Sequence, residues 1–446
     1  MKSLYDEVRT EQNVFSAWRH VKRSALSSGD SEIRGNASKF EHEHQKHLRR
    51  IIDQLRKGRF KFEPVKGVLK DKKKRQAQGK APRPIAIATL ESRVVQRAIL
   101  QILQPREIRD PKDLNSREAT KQDNRLGLIN NVNHSRFGVG GLIHPYGGVR
   151  PAIEAICAAI DGGAKYFYQS DIKSFFTDIR TSLVIDFIRK ETKDEALTEL
   201  FTQALSIELA NPDELKEHVS LFPHDGIGVA QGSSLSAFAG NVLLFDMDHS
   251  LNRMGVTSIR YIDDILMVSD SYNSLEDAIE FAKATLTSFG FGLYSPGDGS
   301  DKAKRGECVN AIDFLGCTIQ PRRCVPSAQS MKKIKASVND AISTSKAAII
   351  EAVRRGRPVD SKASQSATLK LIGERLYGWQ KAFGFCNDPQ PFAILDEYVA
   401  KQVIDYQRIV GRTIDRADAS THMSILGIPS MRDMFDREGR KHITRT

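Results

Sequence analysis

Apolar residues recur along the 446-residue chain with two periods, and the alternation between them predicts a mixed α/β middle flanked by helical ends. Residues 1–57 read as helical, interrupted by the loop SSGDSEIRGN, with a polar helix running from about Ser38 to a stop at Gly58. Residues 60–69 alternate like a strand or hairpin arm. KDKKKRQAQGKAPRP is a loop by composition, and Pro82 and Pro84 hold the chain extended around Arg83. A short apolar strand at 85–89 and a helix at 91–103 follow. Residues 105–150 are polar and rich in Gly, Asn and Pro. The stretch GVGGLIHPYGG within them lacks GxxxxGK[ST] spacing and reads as a flexible loop rather than a phosphate cradle.

Beyond a helix at 151–160, an apolar strand at 166–169 runs into Asp171, and helical segments fill 180–209. The turn GIGVAQGSS opens a helix at 235–251. Residues 258–262, Asp263-Asp264 and 265–268 read as strand, tight turn and strand. A helix at about 275–289 and a strand near 313–319 complete the middle. After Ser327 the period is helical, at 328–354, 364–384 and 391–410, with GRPVDSKAS as a linker; no internal repeat is visible.

Hydrophobic residues make up 40% of the chain and charged residues 27%, which excludes wholesale disorder. No apolar run approaches the ~18–20 residues of a membrane span, and MKSLYDEVRT has no apolar signal core. The five cysteines (157, 308, 317, 324 and 386) form no CxxC pair and no zinc spacing. A soluble, reduced, cytoplasmic protein without a membrane partner is expected. His42, His44 and His47 lack a fourth ligand at fitting spacing and read as a solvated helix face.

Charge position says more than charge total. Between Lys46 and Arg83 stand fifteen Lys/Arg and three acids, a surplus of +12 that equals the surplus of the whole chain. Such a block repels itself unless a polyanion neutralises it, and Phe60 and Phe62 within it suit a groove that tracks phosphates. A solvated basic arm is the plain alternative.

Asp171 ends one strand and Asp263-Asp264 occupies a hairpin tip, so adjacent strands in one sheet would bring the three carboxylates together. Neighbouring carboxylates repel unless a cation neutralises them, and Mg²⁺ suits such a site because it keeps positions for water and substrate phosphates. A lone Asp-Asp pair is also a common turn.

The motifs together resemble the reverse transcriptase family. YIDD (261–264) is similar to its catalytic box, SDIKSFFTDI (170–179) to its first-aspartate motif, and AQGSSLSAFAGNVLL (230–244) to its QG box. RPIAIATLESRVVQRAI (83–99) looks like the fingers motif and FLG (314–316) like the primer grip, in the family's order across about 60–320. The resemblance implies an α/β (α+β) right-hand polymerase with fingers, a ferredoxin-like palm and a helical thumb. The implied boundaries are 1–58 for an N-terminal helical extension, 59–165 for the fingers, 166–326 for the palm and 327–446 for the thumb and tail.

Residue by residue, the resemblance implies that Asp171 and Asp263 ligate two Mg²⁺ ions (Mn²⁺ being the alternative), with Asp264 adjoining and the Ile172 carbonyl assisting. Phe176 falls at the steric gate that excludes a ribose 2′-hydroxyl, with core packing as its alternative. Gln231 and Gly232 lie against the nascent base pair, and Arg83 clamps the triphosphate. Lys302 fits the proton donor to pyrophosphate, with Lys304 as competitor. Nucleic-acid contacts fall to Lys72, Lys73, Lys74, Arg75, Arg93, Phe314, Leu315, Gly316 and Trp379, although Arg93 suits a supporting role and Trp379 plain core equally.

The long N-terminal extension is more like the group II intron and defence-associated bacterial enzymes than retroviral ones. No VTG box is present, NVNH (131–134) stands in an unfamiliar place, and QGSSLSA lacks the usual proline. The expected function is RNA-directed DNA synthesis from dNTPs, with a structured non-coding RNA as template, in antiphage defence. The alternatives are untemplated or protein-primed DNA synthesis, RNA synthesis, or a non-enzymatic RNA-binding module; a homo- or hetero-oligomer is compatible with each.

Overall fold

The computed structural model describes residues 2–72, 75, 77, 81–108, 118–297, 302–432 and 434–435. It divides into two compact units, Met1–Cys308 and Val309–Thr446.

The first unit opens with the short helix Leu4–Val8, followed by the helices Glu11–Leu26, Ser31–His42 and His44–Arg56. The expected SSGDSEIRGN loop is mostly helix, because Asp30 accepts the Glu32 and Ile33 amides and starts a new helix at Ser31. That helix breaks at Glu43, and Gly58 terminates the next one with φ 62°. The helix Leu90–Leu103, capped by Thr89, packs Val94, Val95, Ala98 and Ile99 into one core with Trp18, Leu48, Ile51 and Leu55. Strands β1 (Lys66–Lys70) and β2 (Arg83–Ile87) form an antiparallel pair with Lys70 opposite Arg83. A second small pair is β3 (Arg106–Ile108) with β4 (Glu118–Thr120).

The central sheet consists of β5 (Tyr166–Asp171), β6 (Thr257–Tyr261), β7 (Asp264–Ser269) and β8 (Lys304–Glu307), in the order β6-β7-β5-β8 with every neighbour antiparallel. The long connection from β5 to β6 carries the helix Ser236–Arg253, and β7 leads to β8 through the helix Tyr272–Ser288. Strand–helix–strand, strand–helix–strand with this order is the ferredoxin-like palm that the motifs imply. Central β7 is buried from Ile265 to Ser269, which is why its sequence is continuously apolar rather than alternating.

The second unit begins with an antiparallel meander of β9 (Ile312–Phe314), β10 (Cys317–Gln320) and β11 (Arg323–Pro326). The single strand expected at 313–319 is a hairpin, because Leu315 (φ 48°) and Gly316 (φ 85°) turn the chain between β9 and β10. Residues 309–326, grouped with the palm by sequence, thus cluster with the helices that follow. These helices are Ala328–Arg355, Gln365–Phe383 and Gln390–Ile414, as their period predicts, with a shorter Ala419–Leu426 behind them. Val338, Ile342, Ile349, Ile372, Tyr406 and Ile425 form their core, and the Tyr406 hydroxyl is satisfied by Ser345 Oγ at 2.7 Å.

Candidate active site

The β6–β7 hairpin turns one residue earlier than the sequence pattern predicts. Tyr261 pairs with Asp264, so the two-residue turn is Ile262-Asp263 and Asp264 already belongs to β7. That shift decides the geometry. Asp264 stands directly opposite Asp171 across the β5–β7 ladder, and therefore on the same face. Asp263 at the tip is tied back by its carbonyl, which accepts the Ile172 amide at 2.8 Å. The tip is a strained position, since Ile262 holds φ 63°, a left-handed conformation unfavourable to a β-branched side chain.

Burial and neighbouring charge raise the proton affinity of Asp263 and Asp264. Burial pushes Asp264 up to about 7, aided by a hydrogen bond with Asp171 and by the charges of Asp171 and Asp263. Burial also raises Asp263, with Asp171 adding to the effect, whereas Lys302 and Arg83 oppose it. Lys302 Nζ pairs directly with Asp171 Oδ2 and lies 4.7 Å from the Tyr294 ring centroid, a ring that Lys173 Nζ approaches at 4.9 Å. Lys304, the competitor, is exposed on β8 opposite Gln169. Three hard oxygen donors with one ammonium among them fit a divalent cation such as Mg²⁺.

Beneath the hairpin lies a support that the sequence reading missed. Arg260, 1% exposed, and Asp248, 3% exposed, form a buried ion pair with Nη2–Oδ2 at 2.6 Å and Nε–Oδ1 at 3.0 Å. The same guanidinium donates from Nη1 to the Ile262 carbonyl at 2.9 Å and from Nη2 to Asn241 Oδ1 at 3.2 Å. Asn241 Nδ2 in turn donates to the Gly140 carbonyl at 2.7 Å. Residues 138–141, expected as a flexible loop, are thus pinned: the Val139 amide donates to the Arg260 carbonyl at 2.9 Å, and Val139 is fully buried. A Cβ on Gly140 would meet Ile262 N at 2.5 Å, and one on Gly138 would collide with Asp248 Oδ2. The glycines that a phosphate cradle would need are used for close backbone approach. Their run in GVGG was the available signal.

The other predicted residues are distributed as follows. The Ala86 amide in β2 donates to the Gln231 carbonyl at 3.3 Å, and Gly232 (φ 114°) lies above the same strand, so the QG turn and the Arg83 strand adjoin. Phe175 is buried against Phe291, whereas Phe176 is half-buried beside it with its carbonyl accepting the Val229 amide at 2.7 Å. Arg93 donates from Nη2 to Ser24 Oγ at 2.9 Å, a contact with the N-terminal helices. Arg75 Nε donates to the Ala81 carbonyl at 2.6 Å, and Lys72 is exposed. Lys73 and Lys74 lie outside the described residues. In the second unit, Phe314 is buried while Leu315 and Gly316 form the half-exposed turn. Trp379 packs between Phe383 at 5.0 Å and Phe392 at 5.5 Å. His47 stacks on Phe40 at 4.6 Å, and His44 Nδ1 meets the Glu41 carbonyl at 2.7 Å.

Residues 68–319, more than half of the chain, match the family model described as reverse transcriptase (RNA-dependent DNA polymerase). No curated protein matches. Among solved structures, a chain of a partial Cas6-RT-Cas1–Cas2 complex is 18% identical over 64% of this chain and 43% of its own, with a TM-score of 0.33. Telomerase from Candida albicans in complex with a telomeric RNA fragment is 12% identical over 81% and 60%, with a TM-score of 0.39. Apo telomerase from Candida tropicalis is 11% identical over 84% and 69%, with a TM-score of 0.41. The chain spans less than half the length of the Cas6-RT-Cas1 chain that it matches. Among the described residues no helix is long and apolar enough to cross a membrane.

Proposed function

The chain belongs to the reverse transcriptase family, and on that premise we propose that it joins dNTPs into DNA on an RNA template at Asp171, Asp263 and Asp264. The observation that carries this reading is the in-register pairing of Asp171 with Asp264, with Asp263 held at the adjoining tip. A module that kept only the fold would have no reason to hold three carboxylates within electrostatic reach of one another.

Asp171, Asp263 and the Ile172 carbonyl would hold two Mg²⁺ ions, with Asp264 alongside. Bound there, the ions supply the charge that activates a primer 3′-hydroxyl and neutralises leaving pyrophosphate. Lys302, already at the carboxylates, is the residue positioned to give pyrophosphate its proton. Arg83, whose charge reaches Asp263, orients the triphosphate. Phe176, with its ring half-exposed, is the gate against a 2′-hydroxyl. Gln231 and Gly232 present bare backbone to the nascent pair. The basic segment 46–83 holds RNA phosphates.

The physiological reading is a dedicated polymerase that copies a structured non-coding RNA in antiphage defence. The protein with its co-purifying nucleic acid is to be given each dNTP and NTP with Mg²⁺, beside Asp263→Ala, and the products sequenced. Products complementary to one bound RNA support the reading and name the template. Homopolymer or repeat DNA that matches no RNA replaces it with untemplated or protein-primed synthesis. No product from either protein removes the catalytic assignment. In cells, loss of phage protection with Asp263→Ala/Asp264→Ala links chemistry to defence, and undiminished protection breaks that link.

A further inference from the structure

Cys317, Cys324 and Cys386 show no metal spacing in sequence, yet the second unit brings their sulfurs to one point. All three Sγ atoms lie within 4.8 Å of one another, and Cys324 Sγ is 4.0 Å from Cys386 Sγ. The convergence follows from backbone pairing. Ile319 is opposite Cys324 in the β10–β11 ladder, so Cys317, two residues before Ile319, shares a face with Cys324 as its diagonal neighbour. Cys386 arrives from the turn after the helix Gln365–Phe383, and that turn is fastened to β11 without help from sulfur. The Cys324 amide donates to Asn387 Oδ1 at 2.8 Å, the Asn387 amide to the Cys324 carbonyl at 3.1 Å, and Asn387 Nδ2 to the Arg322 carbonyl at 3.1 Å. Arg323 pairs with Asp388 at 2.9 Å beside them.

We propose that Cys317, Cys324 and Cys386 form a zinc site that fastens the β10–β11 hairpin to the turn joining the two long helices. Zinc–thiolate bonds of about 2.3 Å set tetrahedral sulfurs about 3.8 Å apart. One pair is already near that separation, and the third sulfur lies within an ångström of it. A disulfide would join two of the three and exclude the last, so it does not account for a three-fold convergence. Zinc binding displaces one proton from each thiol and leaves a site of net charge −1. Among the described residues no further Cys, His, Asp or Glu joins the cluster, so the fourth position takes water or a small exogenous ligand. Cys317 and Cys324 are buried and Cys386 is half-buried, which places the way in on the Cys386 side. The link would close 62 residues of chain between Cys324 and Cys386, and it sits immediately after the Leu315–Gly316 turn.

The test uses the full chain, purified from zinc-supplemented cells without chelator, with metal counted per chain by mass spectrometry. About one zinc per chain is expected. Cys317→Ser, Cys324→Ser and Cys386→Ser should each reduce it to under about a tenth, whereas Cys157→Ser, Cys308→Ser and Asp263→Ala retain it. Because a serine variant can fail by misfolding, wild-type protein stripped of zinc is also titrated with Co²⁺. A thiolate-to-cobalt charge-transfer band with tetrahedral ligand-field bands, saturating at one equivalent, supports the site. Zinc-free wild type without those bands overturns it, as does a Cys324–Cys386 disulfide found by non-reducing peptide mapping of the purified protein.

Discussion

Asp264 faces Asp171 across the β5–β7 ladder, and burial together with that neighbour favours the protonated carboxyl. Without metal Asp264 therefore holds a proton that the unfolded chain would release. Asp264 is raised to about 7 in the folded protein, against about 3.9 for an unperturbed aspartate. Between those values the folded state binds more protons than the unfolded state, so stability falls as pH rises through the window. Below it the effect is absent. In EDTA the melting temperature should therefore drop between pH 5 and pH 8 more in wild type than in Asp264→Asn. Mg²⁺ at pH 8 should recover the loss. Identical pH profiles for the two proteins would show that Asp264 holds no such proton.

The Arg260–Asp248 pair predicts a separation of stability from activity. Asp248→Leu leaves a buried guanidinium without its partner and should cost about 3–5 kcal/mol in urea unfolding. Arg260→Met combined with Asp248→Leu removes both charges and should restore most of that stability. Polymerisation should stay low in the double variant, because the Ile262 carbonyl has lost the donor that steadies the tip. Full activity in the double variant would reduce the pair to a packing element.

Gly140 offers a sharper probe of the same support. Gly140→Ala drives a methyl into the Ile262 backbone, a contact that no flexible side chain can relieve. Overpacking of this kind costs about 1–3 kcal/mol, and here it falls on the turn that holds Asp263. Primer extension should drop by at least about tenfold. Unchanged extension rates with a normal melting curve would contradict the close approach.

Lys302 and Lys304 are distinguished by place. Lys302→Ala should lower the single-turnover rate by roughly 10²-fold, whereas Lys304→Ala should stay within about twofold. A larger loss from Lys304→Ala would transfer the proton-donor role.

Phe176→Ala tests the gate. Discrimination against ribonucleotides should fall by roughly 10–200-fold, measured as the ratio of kcat/KM for dNTP and NTP. If the ratio holds while both rates fall, the ring is core packing for the Phe175–Phe291 layer.

Much of this was legible in the sequence because it rests on local pattern. The three long helices after Ser327 and the strands that carry Asp171 and Asp264 follow from apolar period, whereas the exposed edge strand β8, with no apolar residue, left no such mark. What escaped depends on register or on contacts distant in sequence. A one-residue shift of the YIDD turn moves Asp264 from the tip into the ladder, and side-chain period alone does not fix where a two-residue turn begins. Asp30 converts a polar stretch into helix through two amides, an effect that composition obscures. The FLG segment reads as a strand until Leu315 and Gly316 both adopt positive φ. The glycines of 138–141 looked like mobility and are instead room for another backbone. Cys386 stands 62 residues from Cys324, so no spacing rule could join them.

The first unit has one further consequence, for how the protein can be divided. Its core runs without a break from Leu4, Val14 and Trp18 to Phe291 and Leu293, so the N-terminal helices share their packing with the helix behind the Arg83 strand. The segment that resembles the family begins only at residue 68. A fragment cut at that border would expose Val94, Val95 and Ile99 to water and strip Arg93 of its Ser24 contact. A cut at residue 68 would therefore run through one core rather than between two, so the helices before it belong to the same packed unit as the segment that matches the family.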